Sequence, residues 1–308
     1  AESESHPGQL DLPGAFAGTA GLLGIVYGIS RAGTDGWTDT WTLLSLAAGV
    51  VLLGAFVLIE SRVKHPLLPV RVFTNRTRAA SFVAMFFAPA AMFAMFFYLS
   101  QYIQTVMGYS PLKAGVAFLP FCFGLVAAAG LSSNLVNRID PRYLAGVGTL
   151  MAAAALYGFS RIPYDTTAPI SNVSASYATD LLPFILMMSF GMGLTFVPLT
   201  LTAVHHLRNE DTGIGSGVLN TMQQVGGALG LSLLATLATQ TITDRSTELG
   251  AAMADPIAQL QVFTEGASDA FLLGAGLMLV ASLVTWIFLN VKHEELATDG
   301  PEVVHAGV

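Results

Sequence analysis

Charge is scarce in this chain: Asp, Glu, Lys and Arg make up 11% of its 308 residues, against roughly 25% in an average soluble domain. That deficit argues for lipid as the solvent. Cysteine is almost absent as well. The single Cys122 lies inside an apolar stretch, which excludes a disulfide framework and a thiolate metal site. A basic surface for nucleic acid is missing too: the net charge is -7, and much of it sits in Glu2, Glu4, Glu294, Glu295, Asp299 and Glu302 near the two ends. The opening residues are polar, without the basic stretch and short apolar core of a signal peptide, and the chain reads as a piece of something longer.

Catalytic and metal patterns are also lacking. No His-Glu-x-x-His, Gly-x-Ser-x-Gly or paired-aspartate pattern falls in an apolar stretch, so an intramembrane enzyme is not expected. His205 and His206 with Asp211 are the nearest approach to a metal site. Adjacent histidines do not share one helix face as an i, i+4 pair does, so they read as a solvated loop, and no metal or cofactor is expected.

What is present is length without charge. Mean hydropathy is +0.63. Eight windows contain no Asp, Glu, Lys or Arg: 14–30, 41–59, 79–110, 114–137, 143–160, 181–207, 212–243 once Asp211 is passed, and 270–291. Each holds nearly enough apolar residues, roughly 20, to cross a hydrocarbon core of about 30 Å as a helix. The fold class expected is therefore an all-α membrane protein with about eight transmembrane helices, near 14–31, 41–60, 79–101, 112–133, 143–160, 181–203, 215–240 and 270–291.

Basic residues set the expected orientation. Arg62, Lys64, Arg71, Arg76, Arg78, Arg138, Arg142, Arg208 and Lys292 fall on one side, and Arg31, Lys113, Arg161 and Arg245 on the other. The richer side is assigned to the cytoplasm, which places both ends of the chain there and the long polar connections 161–180 and 241–269 outside. The second of these, from Thr247 to Thr264, has room for a short surface helix. Trp37, Trp41 and Trp286 stand near helix ends, where indole rings prefer the interface.

The layout divides into a cytoplasmic segment 1–12, a helix pair 13–60, a basic connector 61–78, a six-helix bundle 79–291 and a cytoplasmic tail 292–308. Several stretches carry a more specific signal: Asp11-Leu-Pro-Gly14 with Gly36-Trp37; Pro66-Leu-Leu-Pro69 with Arg71-Val-Phe73; Tyr98-Leu-Ser-Gln101-Tyr102-Ile-Gln104; Gly108-Tyr-Ser-Pro111; and Asn220-Thr-Met-Gln223-Gln224-Val-Gly-Gly227-Ala-Leu-Gly230. Together they resemble the C-terminal part of the EmrB/QacA-type fourteen-helix drug:proton antiporters of the major facilitator superfamily, in which an extra helix pair links two six-helix bundles. The resemblance implies the linking pair plus the C-terminal bundle. It also implies export of small amphipathic or cationic compounds by alternating access in the plasma membrane, with protons handled by the N-terminal half that this chain does not match. Asn137-Arg138-Ile-Asp140-Pro-Arg142 echoes the family's loop motif, with Asn and Pro where that motif often has Asp and Gly. A self-contained channel or a non-transporting oligomeric membrane protein is the alternative.

Candidate site residues follow from helical spacing. Asn220, Gln223, Gln224 and Gly227 stand at i, i+3, i+4 and i+7, so three amides share a face that lipid should turn inward. Such a face either lines a substrate cavity or joins helices by hydrogen bonds. Met95, Phe96 and Tyr98, followed by Gln101 and Gln104, offer deformable and aromatic surface to apolar or cationic ligands, or else fill gaps between helices. Arg138, Asp140 and Arg142 mark a cytoplasmic loop. No carboxylate falls near the middle of an expected helix, so proton coupling is expected elsewhere.

Overall fold

The computed structural model describes residues 11–63, 73–162, 175–205, 207 and 212–298. The described residues are helical, without strands. The helices are α1 (Leu12–Asp35), α2 (Thr40–Glu60), α3 (Arg76–Gln101), α4 (Pro111–Ala117), α5 (Leu119–Leu135), α6 (Pro141–Phe159), α7 (Leu182–Val204), α8 (Thr212–Leu249), α9 (Pro256–Phe288) and α10 (His293–Thr298). Short π-helical turns extend α3 (Tyr102–Val106) and precede α7 (Tyr177–Leu181).

Helix starts are written locally. Asp39 accepts from the N–H groups of Trp41 and Thr42, Asn75 from Thr77 and Arg78, and Asp255 from Ile257. Each cap satisfies donors that the first helical turn leaves unpaired. Proline in the first turn, as in α1, α4, α5, α6, α7 and α9, fits because its missing N–H would have had no partner there. Gly36, at φ 90°, ends α1 in a conformation that other residues rarely adopt.

Among the described residues, seven helical stretches are long and apolar enough to cross a membrane: α1, α2, α3 with its π turn, α4 with α5, α7 with its π turn, α8 with the 3-10 turn after it, and α9. The sequence leads one to expect an eighth at 143–160. A helix is there, α6, but Arg142, two tyrosines and several glycines dilute its apolar content below that standard. Its glycines serve packing. A Cβ on Gly191 of α7 would lie 2.8 Å from the Ala152 nitrogen, so α6 and α7 meet almost backbone to backbone.

The connection 241–269 departs most from expectation. Rather than an outward loop carrying a short surface helix, it is the continuation of two long helices. α8 runs 38 residues and α9 runs 33, roughly 57 and 50 Å at about 1.5 Å per residue. They are joined by a 3-10 turn, Gly250–Ala254, that opens on Gly250 at φ 48°. Charge ends an apolar window but does not end a helix. Here Arg245 pairs with Glu248 at 2.5 Å and Glu265 at 2.9 Å, and Thr241 donates to Asp269 at 2.7 Å, so the polar extension is held by its own bonds. The connector segment 64–72 and the residues 163–174 lie outside the described residues.

α3 is the central helix: 61% of its apolar window is buried, against 11% for α2. Its far half packs with α6, α7 and α9 in a cluster containing Met95, Tyr98, Leu99, Leu156, Ile185 and Phe271. α1 and α2 form a hairpin on the outside of α8, with Gly24 of α1 so close to α2 that a Cβ would lie 3.1 Å from the Gly49 Cα. Such close approach through small residues is how helices associate where lipid offers no hydrophobic drive.

Candidate functional site

The amide face of α8 is divided rather than turned wholly inward. Asn220 and Gln224 are exposed, Gln223 is half-buried with Nε2 3.7 Å from the Met85 sulfur, and Gly227 is buried against the Phe93 ring. The inward side is set one residue away, by Gly226 and Gly230. A Cβ on Gly226 would overlap the Phe86 carbonyl, and one on Gly230 would overlap the Ala90 side chain. The spacing identifies a polar stripe correctly. The glycines beside it decide which side of the helix meets α3.

Gln224 faces a groove of about 300 Å³ between α1 and α8, together with Thr19, Leu22 and Val26 of α1 and Val225, Ala228 and Leu229 of α8. One amide on an otherwise apolar wall can accept or donate a single bond to a ligand without demanding a particular shape from it.

The α3 candidates separate in the same way. Met95 and Tyr98 are buried, and the Tyr98 ring stands edge-on to Phe271 with centroids 6.3 Å apart. Phe96 points the other way, 4.9 Å from Phe121 and 5.2 Å from Phe118, joining α3 to α5. Gln104 is half-buried and bonds Ser100 one turn back, at its carbonyl and its hydroxyl. Gln101 is half-buried. The structure therefore does not gather the α3 and α8 candidates around one point.

At the end carrying Arg62, Arg76, Arg78, Arg138, Arg142 and Lys292, here termed the basic end, Asp140 does not cap α6. Its Oδ1 instead takes the backbone N–H of His293 and contacts the ring Nδ1, each at 2.8 Å. Those bonds hold the Asp140 carboxyl below the usual carboxylate range. Arg142 reaches over the Trp286 ring at 6.0 Å, and Arg138 is exposed. His205 is buried and lies 3.9 Å from Glu295, while the Arg78 guanidinium donates to the His205 carbonyl at 2.8 Å. His206 and Asp211 lie outside the described residues.

At the opposite end, Asp39 is also held below the usual range, first by the Thr42 N–H and then by the Arg31 guanidinium. Asp269 falls near the midpoint of α9 because that helix begins at Pro256 rather than near residue 270. The reading that no carboxylate approaches a helix centre holds for the apolar windows and fails for α9 as built.

One interhelical pattern escaped the sequence reading. Ser232, Thr236 and Gln240 of α8, at i, i+4 and i+8, donate to the carbonyls of Val26, Ile29 and Ala32 of α1 at 3.2, 2.6 and 3.3 Å. The spacing was visible, but nothing in the sequence marks backbone carbonyls of another helix as the acceptors.

The sequence is similar to those of known proteins. Over 288 residues, 93% of this chain and 55% of the relative, it is 34% identical to the puromycin resistance protein pur8 of Streptomyces alboniger. It is 31% identical over 257 residues to the cephamycin export protein CmcT of Amycolatopsis lactamdurans, covering 83% of this chain and 51% of the relative. It is 29% identical over 244 residues to a tetracenomycin C resistance and export protein of Streptomyces glaucescens, covering 79% and 44%. The chain thus spans about half the length of the curated relatives it matches. The family model of the Major Facilitator Superfamily matches residues 12–231. With its apolar helices and these relatives, the chain is a multi-pass membrane protein that belongs to the major facilitator superfamily.

Proposed function

We propose that this chain is the C-terminal part of a drug:proton antiporter, supplying a linking helix pair (α1 and α2) and one of two bundles that rock around a central cavity. The observation that carries the reading is the match along 93% of the chain to half of a puromycin resistance protein, beside relatives named for exporting cephamycin and tetracenomycin C. The substrates assigned are small amphipathic or cationic compounds, no bond is cleaved or formed in them, and protons are handled by the other half of the full-length protein.

The geometry adds a surface suited to that task. Asn220 is exposed on α8 and Gln224 faces the groove toward α1, while the glycines beside them fix α8 against α3. Polar groups left uncovered on an apolar helix need a partner, since an unpaired polar group in hydrocarbon is costly. A second bundle across a wet cavity provides one. The basic end is assigned to the cytoplasm on the excess of Lys and Arg there, with the whole protein in the plasma membrane.

The test is export by cells expressing the full-length protein, with Asn220→Ala and Gln224→Ala beside the native form. Lower export of an amphipathic cationic dye at unchanged membrane abundance supports the assignment. Unchanged export in both variants reduces this face to packing.

A further inference from the structure

The segment that follows α9 turns back onto the basic end of the bundle and is tied there by several contacts. The Asn290 N–H donates to the Thr77 hydroxyl at the start of α3 at 3.2 Å. Arg76 donates to the Ile287 carbonyl at 3.1 Å, with its guanidinium 4.7 Å from the Phe288 ring centroid. His293 then meets Asp140 through its backbone nitrogen and its ring Nδ1, and Glu295 comes within 3.9 Å of the His205 ring at the end of α7. α10 is thus a strap from the end of α9 to the ends of α6 and α7.

The ties differ in how they answer to pH. Those of Asn290 and Arg76 keep their character, since a backbone N–H does not titrate and a guanidinium stays charged. Imidazole changes charge between about pH 5 and 8. The other charged groups at this junction are Arg138, Asp140 and Arg142 around the start of α6, Arg76 and Arg78 of α3, and Lys292, Glu294 and Glu295 beside His293. Carboxylates, Lys and Arg ordinarily titrate outside that range. Asp140, held below the usual carboxylate range, stays charged throughout it. Of the two imidazoles, His293 makes the short contact and is 34% exposed, so solvent protons reach it. Its ring bond to Asp140 is charge-assisted when the ring is protonated, and such bonds are roughly twice as strong as neutral ones. The bond from the His293 backbone N–H persists in both states.

We infer that His293 is a pH-operated catch: protonated, it locks α10 onto Asp140, and as pH rises it loses its charge and α10 swings away from α6 and α7 about the Asn290 tie. The sign follows from the partner, because a carboxylate favours the charged ring. The inference rests on the fold at this end alone, whichever side of the membrane it faces, and stands whether or not the transport assignment does.

The test uses the full-length protein with Cys122→Ser and no cysteine outside the labelled positions. Spin labels are placed at position 297 on α10 and at Ser133, exposed on α5, and the distance distribution is measured at pH 6 and pH 8. A second pair at Val83 of α3 and Leu186 of α7, both exposed, reports an intact bundle in every sample. The expected result is a narrow distribution at pH 6 and a broad component that grows several-fold at pH 8. His293→Arg, and independently His293→Lys, keep a permanent charge and stay narrow at both values, whereas His293→Gln is broad at both. A native distribution that is the same at pH 6 and pH 8 overturns the inference and makes α10 a fixed brace. Broadening at pH 8 that survives undiminished in both His293→Arg and His293→Lys also overturns it, and moves the titrating group to His205.

Discussion

Oδ1 of Asp140 lies 2.8 Å from both the backbone nitrogen and the ring Nδ1 of His293, tying the turn between α5 and α6 to the start of α10. A second contact, His205 to Glu295 at 3.9 Å, brings α10 to the end of α7. Two turns of the bundle are thereby joined through a helix of six residues. Asp140→Ala is expected to loosen α10 without unfolding the bundle, read as faster amide hydrogen exchange over 293–298 with rates in α3 and α7 unchanged.

The same contact fixes a sign for pH. The Asp140 carboxyl is held below its ordinary value by the bonds from His293, so its contribution is fully present above about pH 4, the ordinary carboxylate value. It is lost as pH falls through the lowered value. Protection over 293–298, taken relative to the intrinsic exchange rate at each pH, should therefore fall in acid, and Asp140→Asn should remove the part of that fall due to this group.

Gly226 and Gly217 stand nine positions apart on α8 and should respond oppositely. A Cβ at Gly226 would overlap the Phe86 carbonyl, which as helix backbone yields little. Gly226→Ala is expected to cost about 1–3 kcal/mol, the usual range for overpacking. Gly217→Ala meets open space and should gain up to about 1 kcal/mol from helix propensity. Thermal unfolding in detergent separates the two.

The bonds between α1 and α8 set a third expectation. Thr236→Val keeps the shape and removes the 2.6 Å bond to the Ile29 carbonyl, at about 0.6 kcal/mol, the average for interhelical bonds in membranes. Ser232→Ala, Thr236→Val and Gln240→Leu combined should widen the distance between spin labels on α1 and α8 near residues 32 and 240. An unchanged distance distribution would show that Gly33 and the α1–α2 packing suffice to hold the hairpin.

Much of this architecture is legible in the sequence because lipid imposes a simple rule: charge stays out of long stretches. That rule finds a helix in each of the eight windows, while helical spacing groups Asn220, Gln223 and Gln224 into a stripe that the structure divides between exposed and half-buried sides. It is silent where helices leave the hydrocarbon, which is why the Arg245–Glu265 hairpin extension reads as a loop. It also does not orient a helix about its axis. Asn220 and Gln224 face outward because Gly226 and Gly230 let α3 approach on another side, and periodicity counts polar residues without weighing the absence of a side chain. Met95 and Tyr98 have the composition of a ligand surface and the burial of a core. Residue type alone does not separate those two uses.

The proposed role makes this chain part of a proton-coupled exporter. Its most direct test is transport by the full-length protein in proteoliposomes, with a pH gradient imposed and an amphipathic cationic dye as the reporter. The account predicts dye accumulation against its own gradient, collapsing when a protonophore is added. Dye that only equilibrates across the membrane, at a rate indifferent to the pH gradient and the protonophore, would contradict it.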